Sequence, residues 1–174
     1  MTDVPLRCVI DTNVALTANG ANEEAPMDCV AACARALDAV TKHGHLFVDD
    51  PGEIVAEYMN KLSPSGQPGP GDAFLKWVLT HQWGGQKVTR VSITKVDDER
   101  GYEELPLPPE GVTYDPSDRK FLAVAAASPE RPPILQAFDS KWWGWREALK
   151  EIGVEVHFLC PDAIAAKYAE KMGQ

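Results

Sequence analysis

Cys8-Val9-Ile10-Asp11-Thr12-Asn13-Val14 is the stretch that decides the fold. Its apolar first half is typical of a buried parallel strand, which carries hydrophobic side chains on both faces. An acid and two small polar residues, Asp11, Thr12 and Asn13, then end the strand abruptly. Open α/β sheets bind their ligands at the carboxyl ends of the strands, so we expect a functional site at Asp11.

Strand-like and helix-like segments alternate along the rest of the chain. The pattern predicts further strands at 45–48, 87–93, 133–138 and 154–159, and helices at 27–42, 53–62, 73–82, 115–125, 142–152 and 161–171. This alternation predicts an α/β fold, a three-layer α/β/α sandwich with a central parallel sheet of about five strands. No internal repeat or linker divides the chain, so residues 1–174 are predicted to form a single domain.

The composition is that of a folded domain and excludes several classes of protein. Hydrophobic residues make up 44% of the 174 residues, enough for an adequate core. No apolar stretch approaches the ~20 residues that a membrane-spanning helix needs. Met1–Pro5 lacks the features of a signal peptide, so we expect a cytoplasmic protein. The net charge of −9 disfavours binding to nucleic acid through bulk charge, but clustered carboxylates that hold cations are compatible with it.

The four cysteines are expected to be reduced thiols in that compartment. Cys29 and Cys33 lie one helical turn apart, but no second Cys/His pair completes a zinc site. Cys8 and Cys160 stand alone in the sequence. Free cysteine is commonly found in protein interiors, so buried or half-buried thiols are predicted.

Three later acids occupy positions at which a helix or strand could bring them close to Asp11. Glu57 lies beside the apolar stripe of a predicted helix, and Asp118 lies in the first turn of another. Asp139 follows an apolar strand, as Asp11 does, and is followed in turn by the small polar residue Ser140. Each acid also has a structural alternative, as a helix cap, an exposed helix residue or an anion at a helix N-terminus.

Two further acids are assigned to helix starts. Asp115 precedes Pro116 and is predicted to be the N-cap of the following helix, with an accessory role in the site. Asp50 and Glu53 fit a capping box, in which Asp50 is the N-cap and Glu53 the acid three residues later.

The carboxylates are the candidate catalytic groups of this sequence, since it contains no Gly-rich phosphate loop, Ser/His/Asp triad or Cys/His pair. Like charges that lie close together repel unless a proton or a cation neutralises them. Oxygen ligands favour Mg²⁺ or Mn²⁺ over zinc, and Mg²⁺ is commonly shared with a phosphate substrate. The sequence therefore predicts a metal-dependent enzyme that acts on phosphodiesters.

The chain resembles the PIN-domain nucleases from Val9 to about Asp162. The strongest pieces are the segments 9–14, 53–58 and 115–125. The resemblance implies a central parallel sheet flanked by helices and metal-dependent hydrolysis of RNA. It places the family's acidic quartet, as catalytic residues and metal ligands, at Asp11, Glu57, Asp118 and Asp139.

Other polar residues surround this quartet. Asn13 is the supporting polar residue that the resemblance implies, and Thr12, Asp115 and Ser140 are accessory candidates. A local positive rim for the substrate is predicted from Arg119, Lys120, Lys141 and Arg146.

Two features depart from the family's pattern. Family members often carry Thr or Ser two residues before the fourth acid, where this chain has Ala137. The segment Trp142-Trp143-Gly144-Trp145 is unusually aromatic. These rings would either pack as helix core or form a platform on which unpaired bases stack.

Three hypotheses follow. The first is a Mg²⁺- or Mn²⁺-dependent endoribonuclease, and many compact relatives are toxins that an antitoxin protein blocks; a homodimer is compatible with it. The second is a catalytically silent PIN-like module that binds RNA or protein, which Ala137 favours. The third is a small-molecule phosphohydrolase, which Asn13 disfavours because a dehalogenase-like phosphatase would have a second Asp there.

Overall fold

The computed structural model describes residues 3–173. Met1 and Thr2, part of the stretch for which no signal peptide is expected, lie outside the described residues, as does Gln174. The strands are β1 (Arg7–Ile10), β2 (His45–Asp49), β3 (Val88–Val91), β4 (Ile134–Gln136) and β5 (Val156–Phe158). The helices are α1 (Thr12–Ala18), α2 (Met27–His43), α3 (Glu53–Lys61), α4 (Pro70–His81), α5 (Arg119–Ala127), α6 (Ser140–Glu151) and α7 (Pro161–Lys171).

The five strands form one parallel sheet in the order β3-β2-β1-β4-β5. This arrangement confirms the predicted α/β sandwich. The chain runs outward from β1 to β3 on one side and then returns to β4 and β5 on the other. The crevice at the carboxyl ends of β1 and β4 is therefore the topological switch point, where such sheets bind ligands.

The sequence pattern explains which strands are central. The apolar run Cys8–Ile10 of β1 is fully buried, as is all of β2. Only Val88 of β3 is buried and the rest of that strand is half-buried, which agrees with its alternating sequence and its place at the edge of the sheet. Within residues 3–173, no helix combines the length and the apolar character that crossing a membrane requires.

Helix α1 is an element that the sequence pattern did not reveal. Asp11 has extended backbone geometry, and its side chain accepts a hydrogen bond from the Asn13 amide at 3.0 Å, so it is the N-cap of α1. The helix is only 7 residues long and buries Val14 and Ala15. It packs close to α2 and α4, and Gly71 allows this because a Cβ there would lie 2.3 Å from the Ala15 carbonyl oxygen.

Two predicted caps were wrong. The N-terminus of α3 is capped by Asp49, whose carboxylate accepts hydrogen bonds from the Glu53 and Ile54 amides at 2.8 Å each. Asp49 is completely buried at the end of β2, whereas the Asp50 carboxylate pairs with Arg90 instead. Asp115 does not cap α5 either. It accepts hydrogen bonds from the Ser117 amide and hydroxyl in a turn that precedes the helix.

The expectation of four reduced thiols was also wrong. Cys29, near the start of α2, forms a disulfide with Cys160, which precedes α7. Cys8 and Cys33 are buried free thiols, as predicted. The pairing could not be read from sequence because the two partners lie 131 positions apart.

Candidate active site

Three aspartates from two parts of the chain, the turn before α5 and the start of α6, meet at one ammonium group. The Nζ atom of Lys141 lies 2.9 Å from Oδ2 of Asp115, 3.2 Å from Oδ2 of Asp118 and 3.5 Å from Oδ2 of Asp139. The sequence predicted Lys141 as part of a substrate-binding rim, and the structure places it inside the acidic cluster. The surrounding carboxylates raise the pKa of Lys141, so it is a permanent cation at neutral pH.

Asp11 is the most buried member of the cluster. It follows β1 directly and is 4% exposed. Burial, together with the negative charges of Asp118 and Asp139, raises the pKa of Asp11 to about 8. The Asn13 amide opposes this rise because it donates a hydrogen bond to the ionised carboxylate. A shift of this kind beside other acids is typical of a functional carboxylate, whose charged form needs a cation nearby.

The next two acids, Asp115 and Asp118, behave in opposite ways. Asp118 is 7% exposed, and burial raises its pKa to about 6 although Lys141 acts against the shift. Asp115 is held ionised by Lys141 and Ser117, which lower its pKa to about 2. Asp118 precedes α5 without capping it, so its carboxylate is free to face the cluster.

Asp139 is positioned through the backbone residue before it. The Phe138 amide donates a hydrogen bond to Oδ1 of Asn13 at 2.7 Å, and the Phe138 carbonyl accepts one from Lys167 at 3.1 Å. Asp139 itself is the N-cap of α6 and accepts a hydrogen bond from the Lys141 amide at 3.2 Å. Asn13 therefore supports the site by fixing the Asp139 segment against the start of α1.

Glu57 joins the site from one side. Its Oε2 atom accepts a hydrogen bond from the Thr12 hydroxyl, and its Oε1 atom lies 2.8 Å from Nζ of Lys120. The neighbouring Tyr58 hydroxyl donates to the Ile10 carbonyl at 2.5 Å, which fixes α3 against the end of β1. Glu57 thus contacts Thr12, the residue after Asp11, and has a cation of its own, whereas Lys141 pairs with the aspartates.

Gln136 is a polar residue of the site that the sequence reasoning missed. It is completely buried at the end of β4, close to Asp11. Its Oε1 atom accepts a hydrogen bond from the Ala137 amide, and its Nε2 atom is buried without a hydrogen-bond partner among the described residues. A glutamine inside an apolar strand was the signal, since buried polar groups are normally paired.

Ala137 and Ser140 flank Asp139. Ala137 is completely buried and offers no side-chain oxygen to the cluster. Ser140 is 3% exposed at the first position of α6, on the other side of Asp139. The residue two positions before Asp139 is therefore Ala137, which has no hydroxyl. The polar side chain at the end of β4 is that of Gln136.

The aromatic segment of α6 packs mainly inside the protein. Trp142 is completely buried. The Trp145 ring lies 5.3 Å from that of Tyr114, and the Trp143 ring lies 5.1 Å from that of Phe158, both in edge-to-face geometry. These contacts favour the packing interpretation over an exposed platform for bases.

Arg119, Lys120 and Arg146, the other members of the predicted rim, divide between two places. Arg119 and Lys120 line a cleft next to Glu57. Arg146 stacks on Trp143 at 4.1 Å and lines a separate cavity between α6 and β5, where Lys150 also lies.

The donor set fits a hard divalent cation. Asp11, Asp118 and Asp139 offer only carboxylate oxygens, which Mg²⁺ and Mn²⁺ prefer. The ammonium of Lys141 already supplies a positive charge between two of them, and an ion that used both would take its place. In residues 3–173, only Cys29, Cys33 and Cys160 have potential ligand atoms that all lie within 4.8 Å of one another. The three carboxylates do not meet this spacing, so they would have to move closer together to hold one ion. That sulfur group is unsuited to Mg²⁺.

Comparison of the chain with family models, curated proteins and solved structures gave no significant match.

Proposed function

We propose that the protein is a Mg²⁺- or Mn²⁺-dependent endoribonuclease of the PIN type. The observation that carries this proposal is the meeting of Asp118 and Asp139 at Lys141, with Asp11 close enough for their charges to raise its pKa. They are far apart in the chain and share the switch point of a parallel sheet, where α/β proteins place ligands.

Each side chain has a distinct part in the proposed site. Asp11, Asp118 and Asp139 would hold the ion, and Glu57 would complete the set from the side of Thr12. A bound Mg²⁺ or Mn²⁺ would neutralise charge on the phosphodiester and acidify the attacking water. Asn13 orients the Asp139 segment, and the buried Gln136 amide can donate to Asp11 or to a phosphate oxygen.

A catalytically silent module is the second candidate, and two observations favour it. Lys141 already lies within ion-pair distance of three carboxylates, so the metal-free cluster is partly neutralised. Ala137 leaves the cluster without the hydroxyl that PIN nucleases often place there. Such a protein would bind RNA or a protein partner without cutting RNA.

The biological setting belongs to the same proposal. A toxin-type role with an antitoxin partner, and a homodimer, rest on the resemblance alone. An RNA substrate favours the cytoplasm as the compartment. The Cys29–Cys160 disulfide is unusual there, because cytoplasmic thiols are mostly kept reduced.

Cleavage of labelled single-stranded RNA tests the proposal. The wild-type chain should cut RNA with Mn²⁺ or Mg²⁺, and the cleavage should stop when EDTA is added. Asp11→Asn should abolish cleavage, whereas Asp38→Asn, which changes an exposed acid of α2, should not. Cleavage that survives both EDTA and Asp11→Asn would contradict the proposal. RNA binding without cleavage by the wild-type chain would favour the silent module.

A further inference from the structure

A cleft of about 570 Å³ lies beside Glu57, outside the aspartate cluster. It is bounded by α3, by the start of α5 and by the segment 95–102 that follows β3. Its volume falls in the range of small-ligand sites (~300–1,000 Å³). The charged side chains that line it are Lys61, Lys95, Arg119 and Lys120, with the acids Glu53 and Glu57.

The segment 95–102 is a built wall of this cleft. The Val96 amide donates to the Gly101 carbonyl at 3.1 Å, and Lys95 and Tyr102 form an antiparallel bridge. The Tyr102 hydroxyl donates to Glu53 of α3, whose other oxygen lies 2.6 Å from Nζ of Lys95. Gly101 has a φ of +77°, and a Cβ there would lie 2.8 Å from the Arg119 side chain, so glycine lets the wall approach α5.

The acidic, proline-bearing segment 97–111 forms an excursion between β3 and α5. Tyr102 is 7% exposed and Leu105 is 1% exposed, so the excursion is anchored in the core. Glu53 was assigned to a capping box, but its carboxylate binds Tyr102 and Lys95 instead. These contacts hold the exposed ammonium of Lys95 at the edge of the cleft.

The charge of the cleft is opposite to that of the whole protein. The chain carries a net charge of −9, yet the lining has four cations against two acids. Each acid already has a cationic partner, Glu53 with Lys95 and Glu57 with Lys120. Lys61 and Arg119 have no salt-bridge partner among the described residues, and the Lys95 side chain, although paired with Glu53, is 70% exposed. The cleft therefore has positive charge available for an anion. By contrast, the cavity between α6 and β5 is lined by two cations and two acids.

Glu57 links the cleft to the start of α1. It lines the cleft and accepts a hydrogen bond from the hydroxyl of Thr12, the residue that follows Asp11. A strand whose phosphate lay at the aspartates would therefore extend into the cleft on the Glu57 side.

We infer that this cleft binds the backbone phosphates of a single-stranded RNA next to the phosphate that is cut. Lys61 and Lys95 contact those phosphates, and the segment 95–102 confines the strand. The inference rests on the proposed nuclease function and adds to it the path of the strand and the residues that position it. Lys61 and Lys95 are positioning residues, since they lie outside the aspartate cluster.

Binding of RNA in the absence of cleavage tests the inference. The probe is a fluorescein-labelled 12-nucleotide single-stranded RNA, and the protein is the full chain with Asp11→Asn in EDTA, followed by fluorescence anisotropy. Adding Lys95→Gln or Lys61→Gln should weaken RNA binding about fivefold each. Each substitution should also reduce the slope of log K against log salt by ~0.7 for each phosphate that the variant no longer neutralises. Lys95→Arg should retain binding. Lys87→Gln and Lys150→Gln, which change exposed cations outside the cleft, are matched controls.

The outcomes separate this inference from the proposed function. If Lys95→Gln and Lys61→Gln bind RNA as tightly as the two controls while the wild-type chain cuts RNA with Mn²⁺, the inference is wrong and the nuclease proposal stands. If the wild-type chain neither binds nor cuts RNA, both are wrong. Both lysines are exposed, and unchanged melting temperatures would show that the variants are folded.

Discussion

The ammonium nitrogen of Lys141 lies 3.2 Å from the carboxylate of Asp118, a contact that joins α6 to the residue before α5. The same nitrogen is 3.5 Å from Asp139, so one internal cation lies where two proposed metal ligands meet. A divalent ion and this ammonium would compete for the same oxygens. If the proposed ion binds here, its affinity depends on the free energy needed to displace Lys141.

Replacing this lysine should strengthen metal binding. Lys141→Met removes the competing charge and keeps an unbranched side chain that is one atom shorter. We expect Mn²⁺ to bind roughly tenfold more tightly, about 1.4 kcal/mol, as measured by isothermal titration calorimetry. Without metal the variant should melt at a lower temperature than the wild type, because the carboxylates lose their counter-ion. Lys150→Met, on the same helix and outside the cluster, is the control, and unchanged or weaker Mn²⁺ binding by Lys141→Met would contradict the competition.

The pKa of Asp11 predicts how the stability of the metal-free protein depends on pH. Burial raises this pKa from 3.8 to about 8, so over that interval the native state holds a proton that the unfolded state has lost. The free energy of unfolding should therefore decrease as the pH rises from about 4 to about 8. Asp118, with its pKa raised to about 6, should add to the decrease in the lower half of this range. Thermal melts in EDTA across the range measure the effect.

Asp11→Asn provides the control for this pH dependence. Asparagine has nearly the same shape as a protonated aspartate and does not titrate, so the variant should lose less stability as the pH rises. Saturating Mn²⁺ should reduce the decrease for the wild-type chain, because the ion stabilises the ionised carboxylates. A wild-type stability that increased from pH 4 to pH 8 in EDTA would refute the assignment.

The sheet and most helices could be predicted from the sequence because each has a local pattern. The apolar run before Asp11 predicted the central strand, and Pro161 and Lys171 bound the last helix as expected. Helix α1 could not be found this way, since its 7 residues are mostly buried and show no polar face. Asp11 is the N-cap of α1, so the fold is compatible both with a structural role for Asp11 as a cap and with a role as a metal ligand.

The candidate site was predictable as a set of acids but not as an arrangement. The positions of Asp118 and Asp139 follow from strand and helix ends, which are local features. The roles of Lys141 and Gln136 depend on contacts between distant segments, which no periodicity records. The same limit applies to the Cys29–Cys160 disulfide.

Asn13 should act as a positioning residue. Its side-chain oxygen accepts the Phe138 amide at 2.7 Å, and Asn13→Ala would leave that amide without its partner. We expect a loss of about 1–3 kcal/mol in the free energy of unfolding, measured with urea. Mn²⁺ binding should weaken as well, because Asp139 follows Phe138 directly. Asn22→Ala, which removes a hydrogen bond confined to an exposed loop, is the control. Wild-type stability together with wild-type Mn²⁺ affinity would argue against the role of Asn13.

The disulfide should stabilise the fold and, through it, the site. The pairing of Cys29 with Cys160 closes a loop with a sequence separation of 131, for which chain entropy allows up to about 5 kcal/mol of stabilisation. Cys160→Ser should therefore lower the melting temperature by many degrees, and reduction with dithiothreitol should lower that of the wild type similarly. Lys167 of α7 donates to the Phe138 carbonyl, so Mn²⁺ affinity should also decrease when α7 is released from α2. Cys8→Ser removes a buried thiol without breaking the disulfide and should leave the effect of dithiothreitol intact. A wild-type protein whose melting temperature did not respond to dithiothreitol would show that the disulfide does not contribute to stability.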